Sequence, residues 1–220
     1  ASLSQEKLSL IKGCDRPALS LLSRLDKEGN LLDYRFVPSV IRVHEQLTYD
    51  YVNAAYEQNS ILSQLYEFAK RQRQKRVGGG ALVLSMPEVL IQIEPDSAVS
   101  IQWVDQDSPS RMMVAELMIF YNWLAARFCK ENRIPALYRC QEPPSEVLPR
   151  GEGSYAYYVF KQRRKLNPLV IDTEPKRHSG LGVDLYTNVS SPIRRYFDLV
   201  VQRQIVDFLL HRTQTYTKDA

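Results

Sequence analysis

Two adjacent arginines, Arg194 and Arg195, follow a Ser-Pro pair in the stretch "VSSPIRRYFDLVVQRQ" (189–204). A guanidinium is always charged, and its planar fork meets two oxygens of one anion at once. Ser191 is a good N-cap, and Pro192 suits a first helical position, where its missing N–H is no loss. The pattern predicts a helix opening at Ser191, with Ile193, Phe197, Val200, Val201, Ile205, Phe208 and Leu209 on its buried face. Cations in the first turn oppose the helix dipole, so an anion is expected nearby. Two readings stand. Arg194 and Asp198, one turn apart, can form a surface ion pair of little energetic worth. Alternatively, the arginines and the free N–H groups of the helix start together form a phosphate site.

The rest of the chain bears on that choice. The net charge is +4, but it is unevenly spread: "KRQRQKR" (70–76) and "KQRRKLN" (161–167) are dense basic runs. Such runs are commonly solvated faces, and they are also the electrostatic footprint of nucleic-acid binders. With 220 residues and 44% hydrophobic content, the chain can bury one core, as a domain or a large piece of one. Its apolar stretches read as too short for a bilayer, and "ASLSQEKLSL" lacks the layout of a signal peptide, so we expect a cytoplasmic protein with no membrane contact. Cys14, Cys129 and Cys140 are odd in number and lack metal-like spacing, which fits reduced, buried thiols. A first residue other than Met, running straight into patterned sequence, suggests a piece of a longer chain.

Several elements must position the arginines. Residues 16–43 read as a β-hairpin turning at "DKEGN". Residues 47–76 read as helix, broken near Asn59-Ser60 and stopped by "VGGG". Residues 89–104 alternate apolar and polar on both sides of "PDS", as a second hairpin does. Residues 110–132 form a long, largely buried helix, and 141–154 a Pro- and Gly-rich loop. Hairpins and helices without regular alternation give an α+β (mixed α/β) domain.

In order, "GCDRPALSLLSRLDKEGNLLDYRFVPSVIRVHEQLTYD", "GGGALVLSMPEVLIQI", "VAELMIFYNWLAARF" followed by "PALYR", and "HSGLGVDLYTNVSSPIRRYFDLVVQRQ" resemble the RNB catalytic domain of ribonucleases II and R. The resemblance spans residues 13–204, and the SPIRRY segment is its most specific part. It implies a domain of hairpins packed by helices and processive 3′-to-5′ hydrolysis of single-stranded RNA to nucleoside 5′-monophosphates. It also implies a divalent cofactor such as Mg2+ and a monomeric complete enzyme. Arg194 would lie by the scissile phosphate, where a fixed guanidinium stabilises charge building on the non-bridging oxygens. Arg195 and Tyr196 would support the RNA backbone or the core. Glu116 matches a position facing the RNA channel, with an internal salt bridge as its other reading. His178 and the glycines of "HSGLG" would approach the 3′-terminal nucleotide together with Ser191. Tyr186 would either stack on a base or belong to the core.

The chain departs from the family in two places. The metal-binding acidic cluster, D-x-x-x-x-x-D-x-D-D, does not occur; Asp105 and Asp107 are the nearest approach and sit in the wrong place. No metal ligand is therefore expected in residues 1–220, a single partial RNB domain. The Mg2+ carboxylates, the oligonucleotide-binding barrels and the S1 domain are expected in sequence beyond it. The second departure is Gln202, which stands where the family usually has His and cannot become cationic. Two functions remain open: a part of an active exoribonuclease, or a catalytically inactive RNB-like protein that binds RNA without cutting it.

Overall fold

A computed structural model describes residues 7–93 and 98–217. Strands β1 (Asp15–Leu25) and β2 (Leu31–Arg42) pair antiparallel, Asp15 opposite Arg42. Their turn is tied by Asp26, whose carboxylate accepts the Asn30 backbone N–H at 2.6 Å and its side-chain amide at 2.7 Å. Gly29 sits there at φ +73°, where a side chain would be strained.

Helix α1 (Tyr49–Ala55) is capped by Thr48, and α2 (Ser60–Gly78) by Asn59, whose Oδ1 accepts from the N–H groups of Ile61 and Leu62 at 3.0 and 3.1 Å. The break expected near Asn59-Ser60 is this cap. Strands β3 (Glu88–Ile93) and β4 (Val99–Val104) form the second hairpin, its "PDS" turn lying outside the described residues. Helix α3 (Pro109–Glu131) follows. Next come β5 (Tyr138–Cys140), α4 (Tyr155–Arg163), β6 (Val170–Asp172), a 3-10 turn at Ser179–Leu181 and α5 (Tyr196–His211). β5 pairs with β6, so among the described residues the strands make three separate two-stranded sheets.

The core forms around α3. Leu124, Ala125, Ala126 and Cys129 are fully enclosed, with Phe36 of β2, Leu185 and Val189 of the loop before α5, and Val201 and Ile205 of α5. The Phe36 ring lies 5.6 Å from Tyr121 and 5.4 Å from Phe128. Each large apolar side chain so enclosed stabilises the fold by about 1.5–3 kcal/mol. Burial also holds the Cys129 thiol up at about 12, in keeping with an inert core cysteine. Against the sequence expectation, α3 is by length and composition apolar enough to cross a membrane. In the fold it is a core helix: much of its surface is covered by protein, and it carries the buried polar residues Glu116 and Asn122.

Two sequence expectations need correction here. The last helix begins at Tyr196, with Arg195 at its N-cap, not at Ser191. Residues 192–194 form a turn closed by the Arg194 and Arg195 N–H groups, which donate to the Ser191 carbonyl at 3.3 and 3.1 Å. The cause is Asp198, whose carboxylate reaches back over the first turn to the Ser191 N–H at 2.8 Å and holds the chain there out of helical line. The second correction concerns the run at 70–76, which is not a free basic face. On α2, Arg71 and Gln72 donate to the carbonyls of Lys27 and Gly29, Lys75 to Asn30 Oδ1, Arg73 pairs with Asp107, and Arg76 with Glu116. These side chains brace α2 against the β1–β2 turn and against α3.

Candidate functional site

Arg194 is exposed, and among the described residues its guanidinium has no hydrogen-bond or ion-pair partner. The turn that carries it is held closely. Asp198, 1% exposed, accepts both the Ser191 N–H and Arg195 Nη2 at 2.8 Å. Its ion pair is thus with Arg195, not with Arg194. Arg195 also donates to Ser190 Oγ at 3.2 Å. With the Asn188 amide turned so that its oxygen faces the guanidinium groups, it accepts from Arg195 Nη1 at 2.9 Å and Arg139 Nη1 at 3.1 Å. Gln202 Nε2 donates to the Val189 carbonyl at 2.6 Å, a bond that needs no charge on the side chain. The backbone under Arg194 is thus fixed while its charge stays uncommitted and available to an incoming anion.

From this turn the polar contacts run inward. Asn122 of α3 accepts the Val189 N–H at 3.0 Å and donates to the Tyr186 hydroxyl at 2.9 Å. Tyr186 is buried, and its ring meets the His178 ring edge-on at 5.6 Å. Of its two readings, the structure carries the core one. Burial, helped by the Arg139 charge, lowers the His178 pKa to about 4, so its ring is neutral near pH 7. His178 Nδ1 accepts the Leu181 N–H at 3.4 Å. The Leu181 carbonyl takes Arg76 Nη1 at 2.7 Å, and Arg76 grips the buried Glu116 carboxylate through two nitrogens. Glu116 is therefore half of an internal salt bridge. That pair walls a cleft of about 230 Å³ shared with Lys75, Trp123 and Asp184.

Glu116, His178, Tyr186, Ser191 and Arg195 thus belong to one connected set of contacts, with Arg194 and the exposed Tyr196 at its outer end. Ser191 serves through its backbone and does not cap the helix with its side chain. Sequence reasoning missed Asn122, Arg139 and Asn188, and it saw Arg76 only as one charge of the run at 70–76. Asn122 alone carried a signal, as a polar residue inside an otherwise apolar helix. Among the described residues, no three His, Cys, Asp or Glu side chains gather as metal ligands would. Asp105 and Asp107 do not fit a divalent ion, because Asp107 is held by Arg73 and by Ser85 Oγ at 3.0 Å.

The RNB domain matches residues 1–150 and 154–211. The chain belongs to the RNB family. It is 34% identical over 216 residues to an uncharacterised ribonuclease of Synechocystis (sll1290), covering 94% of this chain and 32% of that protein. RNB chains of known structure share its fold. Mycoplasma genitalium RNase R, solved with ribose-methylated single-stranded RNA, aligns with a TM-score of 0.81 at 20% identity over 99% of this chain and 40% of its own. Yeast Ssd1, described as a pseudonuclease, aligns with a TM-score of 0.74 at 17% identity over 97% of this chain and 32% of its own. The chain spans about a third of the length of the curated relatives it matches.

Proposed function

We propose that this RNB chain is the arginine-bearing part of a 3′-to-5′ exoribonuclease that hydrolyses single-stranded RNA to nucleoside 5′-monophosphates, in the cytoplasm and as a monomer. The observation that carries the reading is Arg194, an unpaired guanidinium on a turn fixed by Asp198, Arg195 and Gln202. Attack of water on a phosphodiester raises the charge on the non-bridging oxygens. A cation already in place stabilises that charge without reorganisation. Arg195, with its charge committed to Asp198, holds the turn and leaves the anion to its neighbour. In this reading the Mg2+ expected for the family is bound by carboxylates outside these 220 residues.

The test uses the full-length protein and 5′-labelled single-stranded RNA. Wild type should shorten the RNA stepwise from its 3′ end. Arg194→Ala should slow single-turnover cleavage about 10²- to 10³-fold with RNA affinity changed only a few-fold, the signature of a group used in the transition state. Arg194→Lys should be a poor substitute, since an ammonium lacks the planar fork. Loss of affinity with an unchanged cleavage rate would make Arg194 a binding group only. A protein that binds RNA and never cleaves it would support the second reading, a non-cleaving RNA binder, to which the Ssd1-like fold lends weight.

A further inference from the structure

The second basic run, 161–167, lies outside the contacts around Arg194. It straddles the end of α4, whose inner side is fixed by Val159 and Gln162. Gln162 accepts the Leu148 N–H at 2.7 Å and donates to the Glu146 carbonyl at 2.9 Å, locking the helix to the loop before it. Tyr157, Phe160, Lys161 and Arg164 recur at i, i+3, i+4 and i+7 and so share one helical face. Tyr157 is 62% exposed and Phe160 58%, two large rings open to solvent on one side of the helix. Lys161 Nζ lies 5.4 Å from the Tyr157 ring centre and the Arg164 guanidinium 5.8 Å from that of Phe160. At one end, Arg150 lies 5.1 Å from the Tyr155 ring, which stacks on Tyr158. Unlike Arg71, Arg73, Lys75 and Arg76 of α2, Lys161 and Arg164 have no hydrogen-bond or ion-pair partner among the described residues. Glu152 is the only acid between residues 150 and 165.

We propose that this face of α4 is a stacking platform for single-stranded RNA, with bases on Tyr157 and Phe160 and phosphates facing Lys161 and Arg164. The proposal rests on the reading of RNA as the ligand and adds a second contact surface to it. An apolar protein partner would have to strip water from the cations beside each ring. A nucleotide strand instead brings an anion and a flat π-face at every step, matching both components of the strip. From Tyr157 to Arg164 the face runs about 10 Å along the axis, roughly three steps of a stacked strand. Stacking accepts any base, so the platform would hold RNA without reading its sequence.

The test is equilibrium binding of the full chain to fluorescently labelled oligo(U) and oligo(A), followed by anisotropy across a salt series. The doubly substituted Tyr157→Leu, Phe160→Leu chain keeps apolar bulk at an exposed face and removes both rings. It should melt like wild type and bind both oligonucleotides about five- to tenfold more weakly per ring lost. Lys161→Gln with Arg164→Gln should flatten the log affinity against log salt slope by about 1.4, at roughly 0.7 per phosphate contact on single strands. If wild type binds RNA and the double Leu chain binds within twofold of it, the face serves some other partner, a protein included, and the platform is refuted while the Arg194 reading stands. If the wild-type chain binds neither oligonucleotide at any salt, both readings fall together.

Discussion

Asp198→Ala is the sharpest test of how the Arg194 turn is held. The substitution removes the carboxylate on which the Ser191 N–H and Arg195 Nη2 converge, each at 2.8 Å. A hydrogen bond to a charged group contributes about 1.5–3 kcal/mol, and here the orphaned donor is a backbone N–H. Breaking a fully buried ion pair costs about 3–5 kcal/mol. The Arg195 side chain is one-third exposed, however, and it keeps Asn188 and Ser190, so the loss of its partner should come to about 1–2 kcal/mol. Together these give about 3–4 kcal/mol. For a chain of this length, that lowers the melting temperature by roughly 10 °C. Asp198→Asn retains an acceptor for the Ser191 N–H and should lose about half as much. Urea unfolding followed by tryptophan fluorescence, with a double-mutant cycle against Arg195→Ala, separates the two contributions. A loss below about 1 kcal/mol for Asp198→Ala, or equal losses for Ala and Asn, would refute the reasoning.

Two further outcomes follow from the loop between β6 and α5. His178 binds a proton only near pH 4 in the folded chain but near 6.5 when unfolded, so the unfolded state gains protons first as pH falls. Stability should therefore drop by about 2.5 kcal/mol between pH 6.5 and 4, a slope that His178→Gln removes; an unchanged slope in that variant means that other groups set it. Gly182 sits at φ +68°, and a Cβ there would lie 2.4 Å from the Arg76 carbonyl oxygen and 2.8 Å from Ala81. Gly182→Ala should destabilise the chain by at least about 2 kcal/mol in urea unfolding, and a neutral substitution would show that Gly182 does not pack tightly against the end of α2.

What could be read from the sequence was local. The hairpins, the Asn59 break, the extent of α3 and each RNB motif by itself rest on patterns within a few dozen residues. The start of α5 was misplaced because Ser-Pro reads as a helix cap, whereas Asp198 recruits the Ser191 N–H and turns the same residues into a closed turn. On an ideal helix, Asp198 could pair with Arg194 at i+4 or Arg195 at i+3, and only the turn decides for Arg195. The run at 70–76 looked like a nucleic-acid footprint because its partners, Asn30, Asp107 and Glu116, are remote in sequence. The placement of Glu116 could not be decided from the sequence for the same reason, its core and ligand readings being of equal local plausibility, whereas for Tyr186 the core reading was already the commoner one.

Those long separations also govern when the site can exist. Arg76 reaches the Leu181 carbonyl across 105 residues, and Asn122 reaches Tyr186 across 64. Contacts of such range form late, because the intervening chain must be ordered before they repay its loss of freedom. During synthesis, a nascent chain that has not reached Leu181 leaves the Arg76 fork without its carbonyl. One that stops before Asp198 has Arg194 only as a loose cation on an unfastened segment. The turn that carries the group proposed to act on RNA therefore takes its shape only after nearly the whole segment has been made and packed, so a half-synthesised copy carries the charge but not its mounting.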